Sequence, residues 1–265
     1  AAVHCVIVGF GLQDVAEKTI FEYENIKGEA LAVPVSNINP YLVDAPDLVL
    51  EKRNQPICIV PTISYGSMAN DDGHLLLDKE QRNALIAAEP ATAPYIRRYM
   101  GAQEFLNNAE RWCLWLKDIS PSLMRSSNEL RHRIEAVRKF RASSNREATR
   151  NLAATPSLFG EDRQPLKSYL LLPKVSSENR PYMPIGFMPS EVIANGSALT
   201  ISDSGHYEMG VLQSKMHMAW MRAVAGRMKS DYQYSAQIVY NNFPWPDLPE
   251  KLEPNQPQTP AHKAQ

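Results

Sequence analysis

A chain of 265 residues with 44% hydrophobic and 22% charged side chains has the composition of a folded protein and room for one large or two small domains. Its formal net charge of -1 announces no nucleic-acid partner in the total, so any such role must rest on where the charge sits. Three scattered cysteines, Cys5, Cys58 and Cys113, lack CxxC spacing, which argues against a disulfide framework or zinc site and fits a reducing cytoplasm; no apolar run reaches the roughly 18 residues of a membrane span, and no basic-then-apolar leader is present.

In chain order, Val3 to Phe10 reads as a buried strand with nothing before it to pair against, in a chain that does not begin with Met, and this suggests a fragment. The charged stretch that follows, with Glu17, Lys18, Glu22, Glu24 and Lys27, resembles a strand-to-hairpin connection, so residues 1–33 are expected to be the remnant of an upstream domain. From Val33 to Asp118 short apolar runs alternate with Pro, Asn, Asp and Gly, a mixed α+β pattern. Leu130, Ile134, Val137 and Phe140 recur at helical spacing, with Arg131, Arg133, Arg138, Lys139 and Arg141 on other faces, which predicts a long amphipathic basic helix. Residues 166–187 again look like strands, joined by the polar loop Ser176 to Arg180. A Met-rich apolar helix over 209–228 follows and requires covering. Pro244, Pro246, Pro249, Pro254, Pro257 and Pro260 mark residues 247–265 as an extended or disordered tail.

Two passages tempt a catalytic reading and fail on spacing. Gly9-Phe10-Gly11 follows a strand, but Asp14 stands where a dinucleotide loop needs Gly. Asn241-Asn242-Phe243-Pro244-Trp245 superficially resembles the loop that holds a target amine in amino-methyltransferases, yet it lacks the Pro-Pro pair; a rigid loop packing Phe243 and Trp245 is the simpler role. The histidines at 4, 74, 132, 206, 217 and 262 show no metal-ligand or nucleophile spacing, and His74 beside Asp71 and Asp72 reads as a solvated turn. The chain is therefore expected to have no catalytic, cofactor or metal site of its own.

Residues 125–150 hold eight Arg or Lys against three Glu, a local net of +5 in a chain whose total is -1. Two readings stand: a positive stripe spaced for a phosphate backbone, or a solvated helix face with ion pairs such as Glu135 with Arg131 or Lys139. The excess of Arg over Lys favours nucleic acid, because the planar guanidinium suits both phosphate and the guanine edge. The Ser176–Arg180 loop supplies donors and acceptors for base edges, or is an ordinary polar turn.

Context comes from six strings, which do not fix which of these residues face DNA or whether Glu178 and Arg180 form a structural ion pair: Tyr41-Leu-Val-Asp-Ala-Pro46, Arg97-Arg98 through Phe105, Arg111-Trp-Cys-Leu-Trp-Leu116, Ser168-Tyr169 through Arg180, Met216-His-Met-Ala-Trp-Met221 and Ile238 through Pro246. Together, over Val33 to Pro246, they resemble the target-recognition and C-terminal regions of MmeI-like DNA methyltransferases of restriction-modification systems. Residues 1–12 are similar to the last strands of that family's methyltransferase domain. The resemblance implies residues 34–205 as an α+β, mixed-sheet target-recognition domain and 206–246 as a C-terminal helical segment. It implies adenine-N6 methylation with S-adenosylmethionine in the parent enzyme, sometimes with a nuclease, while the motifs for that chemistry lie outside this chain. Double-stranded DNA and the parent's methyltransferase domain are the implied partners, in a bacterial cytoplasm. Expected phosphate contacts are Arg125, Arg131, Arg138, Arg141, Arg146 and Arg150; expected base contacts are Asn145, Lys174, Ser177, Glu178 and Arg180. The competing reading is a scaffold module that docks a partner through the Met-rich helix 209–228.

Overall fold

Runs of β-branched and aromatic residues bounded by Pro, Asn and Gly form short strands, and capped amphipathic segments form the helices, in a computed structural model that describes residues 6–25 and 27–246. The elements begin with β1 (Lys18–Glu22), β2 (Leu31–Val35), β3 (Ile63–Tyr65), β4 (Leu76–Leu77), α1 (Lys79–Ala88), β5 (Ile96–Met100), α2 (Ala102–Asn107) and β6 (Trp112–Leu114). Helices α3 (Pro121–Ser126), α4 (Asn128–Ala142) and α5 (Glu147–Asn151) follow. The second half holds β7 (Tyr169–Pro173), β8 (Val175–Ser176), β9 (Gly186–Met188), β10 (Ile193–Ala194) and β11 (Ala198–Ser202), then α6 (His206–Leu212), α7 (Lys215–Val224), β12 (Gly226–Met228) and β13 (Asp231–Gln233).

The strands make a β1-β2 hairpin and three small sheets, in the orders β10-β5-β6-β4, β3-β11-β7-β9 and β12-β13-β8. All pairings are antiparallel except β10 with β5. The first core lies on the β5-β6-β4 sheet, where Leu77, Trp112 and Leu114 meet Leu85 of α1 and Leu130, Ile134 and Val137 of α4. Strand β7 is buried along its whole length because its two faces serve different cores. Leu170 and Leu172 join Leu199 and Ile201 under α6 and α7, whereas Tyr169 and Leu171 pack with Met100, Ala194 and Ala198 and so tie the two halves together.

Three expectations are corrected. Val6, Ile7, Val8 and Phe10 are exposed and belong to no strand, and residues 3–5 lie outside the described residues. A strand needs a neighbour for its backbone groups, and no described residue pairs with this run. The segment expected as one Met-rich helix is two helices, broken at Gln213 and Ser214, where the Ser214 Oγ caps α7 by accepting from the His217 N–H at 3.1 Å; Met228 sits on β12. Leu212, Met218 and Met221 are buried against the chain's own β7-β11 sheet, so the apolar face offered to a scaffold partner is already covered. The tail expected over 247–265 lies outside the described residues.

Residues 206–246 are woven into the sheets of the preceding part. Tyr232 and Gln233 pair with Ser176 and Val175, and Phe243 and Trp245 are buried in the second core. The rigid loop is held by Asn242, whose Nδ2 donates to the carbonyls of Glu51 and Gln237 and whose Oδ1 accepts from Arg53 Nε at 3.0 Å.

Candidate functional site

Helix α4 starts where Ser127 Oγ accepts from the Leu130 N–H at 3.0 Å, and it buries Leu130, Ile134, Val137 and Arg141. These positions step by four, three and four residues, one continuous helical stripe. Arg141 thus occupies the core position that Phe140 was expected to fill, while Phe140 is exposed. The Arg141 side chain has 0% exposure, and its guanidinium donates to the carbonyls of Ala69, Asn70, Leu152, Thr155 and Leu158 at 2.7–3.0 Å. This corrects its place among the phosphate contacts: every donor direction of the fork is engaged inside the protein. Burial also lowers its pKa from the ordinary value, against a smaller opposing effect of Asp71.

The turn that Arg141 grips differs from the solvated one expected. Asn70 and Asp72 adopt left-handed backbone with φ of 49° and 53°, and Asp71 is buried, its Oδ2 accepting from the Leu75 N–H. Asn and Asp tolerate that backbone better than other non-glycine residues, which explains their presence here.

The remaining cations of the stripe divide by partner. Arg133 pairs with Glu129 at 2.7 Å and donates to the His74 carbonyl, and Arg138 pairs with Glu135 at 3.3 Å. The Glu135 pairing is thus with Arg138 and not with Arg131 or Lys139. Arg131 donates to Asn128 Oδ1 and Arg150 to the Ser144 carbonyl, both neutral acceptors. Arg125, Arg131, Lys139, Arg146 and Arg150 are exposed and have no carboxylate partner among the described residues. Arg131 and Arg138 stand seven residues apart, on one exposed face of α4. Asn145 is exposed in the turn between α4 and α5, next to Arg146 at the start of α5.

The second group of candidates lies on a turn after β8. The Arg180 N–H donates to the Ser177 carbonyl at 3.1 Å and the Asn179 N–H to Ser177 Oγ at 3.3 Å, closing the turn with Glu178 and Asn179 exposed and Arg180 half-buried. Glu178 and Arg180 do not pair with each other, which leaves the carboxylate and guanidinium of this loop available. Lys174, at the foot of the loop, sits 4.8 Å from the Tyr65 ring centroid and donates to the Gly196 carbonyl at 3.3 Å. Arg163 approaches the same ring at 5.9 Å. Sequence reasoning missed Tyr65 and Arg163; residues 65, 163 and 174 share no local pattern, and they meet through the pairing of β11 with both β3 and β7 and the bridge of Met68 to Glu161.

Around Gly9 and Gly11 the chain is exposed and irregular and leads into strand β1, not into the helix N-terminus that a dinucleotide loop provides for a pyrophosphate. Among the described residues no three His, Cys, Asp or Glu side chains gather as a metal site, and no helix is long and apolar enough to cross a membrane.

The family described as MmeI, target recognition domain, matches residues 44–247. The chain belongs to that family. It is similar to DNA methyltransferase A of Bacillus subtilis (strain 168), with 38% identity over 249 residues that make up 94% of this chain and 28% of the relative. It also resembles the type IIL restriction-modification enzyme MmeI as solved in complex with DNA, at a TM-score of 0.90 and 47% identity over 95% of this chain and 34% of that one. The chain therefore spans about a third or less of the length of these relatives. Both cores and the α4 and β8 candidate groups fall inside the matched MmeI target-recognition span.

Proposed function

We propose that this chain is the DNA-reading part of an S-adenosylmethionine-dependent adenine-N6 DNA methyltransferase of a restriction-modification system. Its partners are double-stranded DNA and the methyltransferase domain of the same longer protein, in the cytoplasm of a bacterium. The observation that carries this reading is the target-recognition family match across residues 44–247, supported by the likeness to an enzyme solved with DNA. Residues 1–33 are read as the end of the methyltransferase domain, 34–205 as the recognition domain, and 206–246 as a C-terminal segment that shares the recognition domain's second core. The cofactor and the methyl transfer are assigned to the remainder of the longer protein, because the motifs that the resemblance implies for them lie outside this sequence.

The geometry supports a division of labour between phosphate and base contacts. Arg125, Arg131, Arg138, Arg146 and Arg150 project from α3, α4 and α5 into solvent and suit the backbone, fixing register without reading sequence. Asn145, Ser177, Glu178 and Arg180 supply the groups that distinguish bases in a major groove: a guanidinium for guanine O6 and N7, a carboxylate for the cytosine amine, an amide for adenine; Lys174 lies at the foot of the Ser177–Arg180 turn. Extracting a base from the stack costs a few kcal/mol, and a separate reading surface holds the duplex in register while another domain does so.

The test is selection of bound duplexes from a random library by this chain at moderate salt. Enrichment of one asymmetric word of several base pairs is the expected result. Recovery of no word, together with salt-independent retention, removes the DNA-reading function.

A further inference from the structure

We propose that Tyr65, Lys174 and Arg163 form a clamp for one backbone phosphate of the duplex, so that Lys174 positions the DNA and does not read a base. This rests on the DNA-reading function proposed above and adds a contact that neither the basic helix nor the β8 turn contains.

Tyr65 ends β3, an edge strand hydrogen-bonded only to β11, and its side chain is 41% exposed. Two cations converge on its ring: Lys174 Nζ at 4.8 Å from the centroid and Arg163 Cζ at 5.9 Å. Each is anchored through its backbone. The Lys174 N–H donates to the Ser197 carbonyl at 3.1 Å and its carbonyl accepts from the Tyr234 N–H at 2.7 Å, while the Arg163 N–H donates to Ser67 Oγ at 3.0 Å. The cationic heads have restraints of their own, Lys174 Nζ on the Gly196 carbonyl and Arg163 on Glu161, and each lies within cation–π reach of the Tyr65 ring.

The charge of this cluster is incompletely answered. Arg163 pairs with Glu161, but Lys174 pairs with no described carboxylate, and the other acceptor it reaches is the neutral Gly196 carbonyl. An ammonium without a carboxylate partner, with a guanidinium near the same ring, attracts an anion. The Tyr65 hydroxyl has no hydrogen-bond partner among the described residues and adds a neutral donor at the rim. A monoanionic phosphodiester with two free oxygens matches an ammonium, a guanidinium and a hydroxyl. A guanine edge can also accept from Lys, but it carries only partial charge, whereas the phosphodiester carries the full charge that an unpaired ammonium answers. Lys174 precedes Ser177 by three residues, about 10 Å of extended chain, so a phosphate held here would fix the height of the reading turn above the groove.

The experiment measures binding of the selected duplex and of a scrambled duplex by the whole chain across a salt series, for the unmodified protein, K174Q, Y65F and Y65A, with thermal unfolding as the check on folding. K174Q is expected to lower the salt slope by about one and to weaken both duplexes by the same factor with the preferred word unchanged. Y65A is expected to weaken both roughly fivefold and Y65F less; should Y65A fail to fold, K174Q and Y65F decide. An unchanged slope, or a changed preferred base, in K174Q overturns the clamp. Loss of inorganic phosphate binding in K174Q, read by phosphorus NMR, with an unchanged duplex slope identifies a free-anion site and overturns the clamp on DNA. Failure of the unmodified chain to bind any duplex overturns the DNA-reading function and the clamp together, whereas duplex binding with an unaltered K174Q slope removes the clamp alone.

Discussion

Arg141 donates through Nε to the carbonyl of Asn70 at 2.9 Å, joining the end of α4 to a left-handed turn 71 residues earlier. With four further carbonyls on the same guanidinium, from Ala69 and from the Leu152–Leu158 segment, one side chain locks three pieces of chain. Replacing it by Met or Lys leaves several buried carbonyls without donors, at about 1–3 kcal/mol each before relaxation. R141M is expected to lose about 3–5 kcal/mol of unfolding free energy in urea, with R141K also clearly destabilised because an ammonium has no planar fork. The salt slope of DNA binding by the folded fraction should stay unchanged. Normal stability with a reduced salt slope would return Arg141 to the phosphate contacts.

Arg131 and Arg180 should separate affinity from specificity. R131A is expected to weaken all duplex sequences alike and to reduce the salt slope by about one. R180A is expected to change the preferred base at one position, by about 1–3 kcal/mol. Quantitative binding to a panel of single-base variants distinguishes them, and parallel losses across the panel for both variants would take Arg180 off the reading surface.

His217 makes the second core sensitive to acid. Its ring is wholly buried against Phe243, with Nε2 2.9 Å from Tyr234 Oη, and burial pushes its pKa from 6.5 down to about 4. Below pH 6.5 the unfolded chain takes a proton at this imidazole that the folded chain refuses until about pH 4. Stability from this residue is thus complete above the unfolded value and declines as pH falls through that window, by up to about 3 kcal/mol. Denaturation at stepped pH should show this loss, and H217Q should flatten it; a slope that survives the substitution assigns the acid response to other groups.

Two glycines bracket Asn195 with different tolerance. A Cβ at Gly66 would lie 2.2 Å from the Asn195 backbone oxygen, whereas a Cβ at Gly101 would meet the Asn195 side-chain amide at 2.1 Å. Backbone held in the sheet cannot yield, because the Asn195 N–H donates to the Met100 carbonyl at 2.8 Å. G66A is expected to cost about 3 kcal/mol or more and G101A less, since a side chain can turn away. Equal midpoints in urea for the two variants would contradict this.

Much of the local structure was legible before any coordinates. The period of Leu130, Ile134 and Val137 specified α4, the apolar runs within residues 166–187 marked the strands β7 and β9, and the aromatic loop around Phe243 and Trp245 was read as packed, since each depends on residues close in sequence. The same period admits either Phe140 or Arg141 as the next buried position, spaced three or four residues from Val137. The choice was made by five carbonyls, all from other segments, that satisfy a guanidinium and would be orphaned beside a phenyl ring. The break in the Met-rich segment, visible only as Gln213-Ser214 in sequence, is made by Ser214, whose hydroxyl caps the first turn of α7.

The amino-acid sequence by itself determined the family and the two groups of candidate residues, because strings and local charge counts survive without a fold. Tertiary structure decided which cations remain accessible, since Arg133 is half-buried in its pair with Glu129 and burial removes Arg141, while Arg138 stays exposed beside Glu135. It also decided that Tyr65, Arg163 and Lys174 meet at one ring. Contacts between residues about a hundred positions apart come from strand register and core packing, and no local period encodes them.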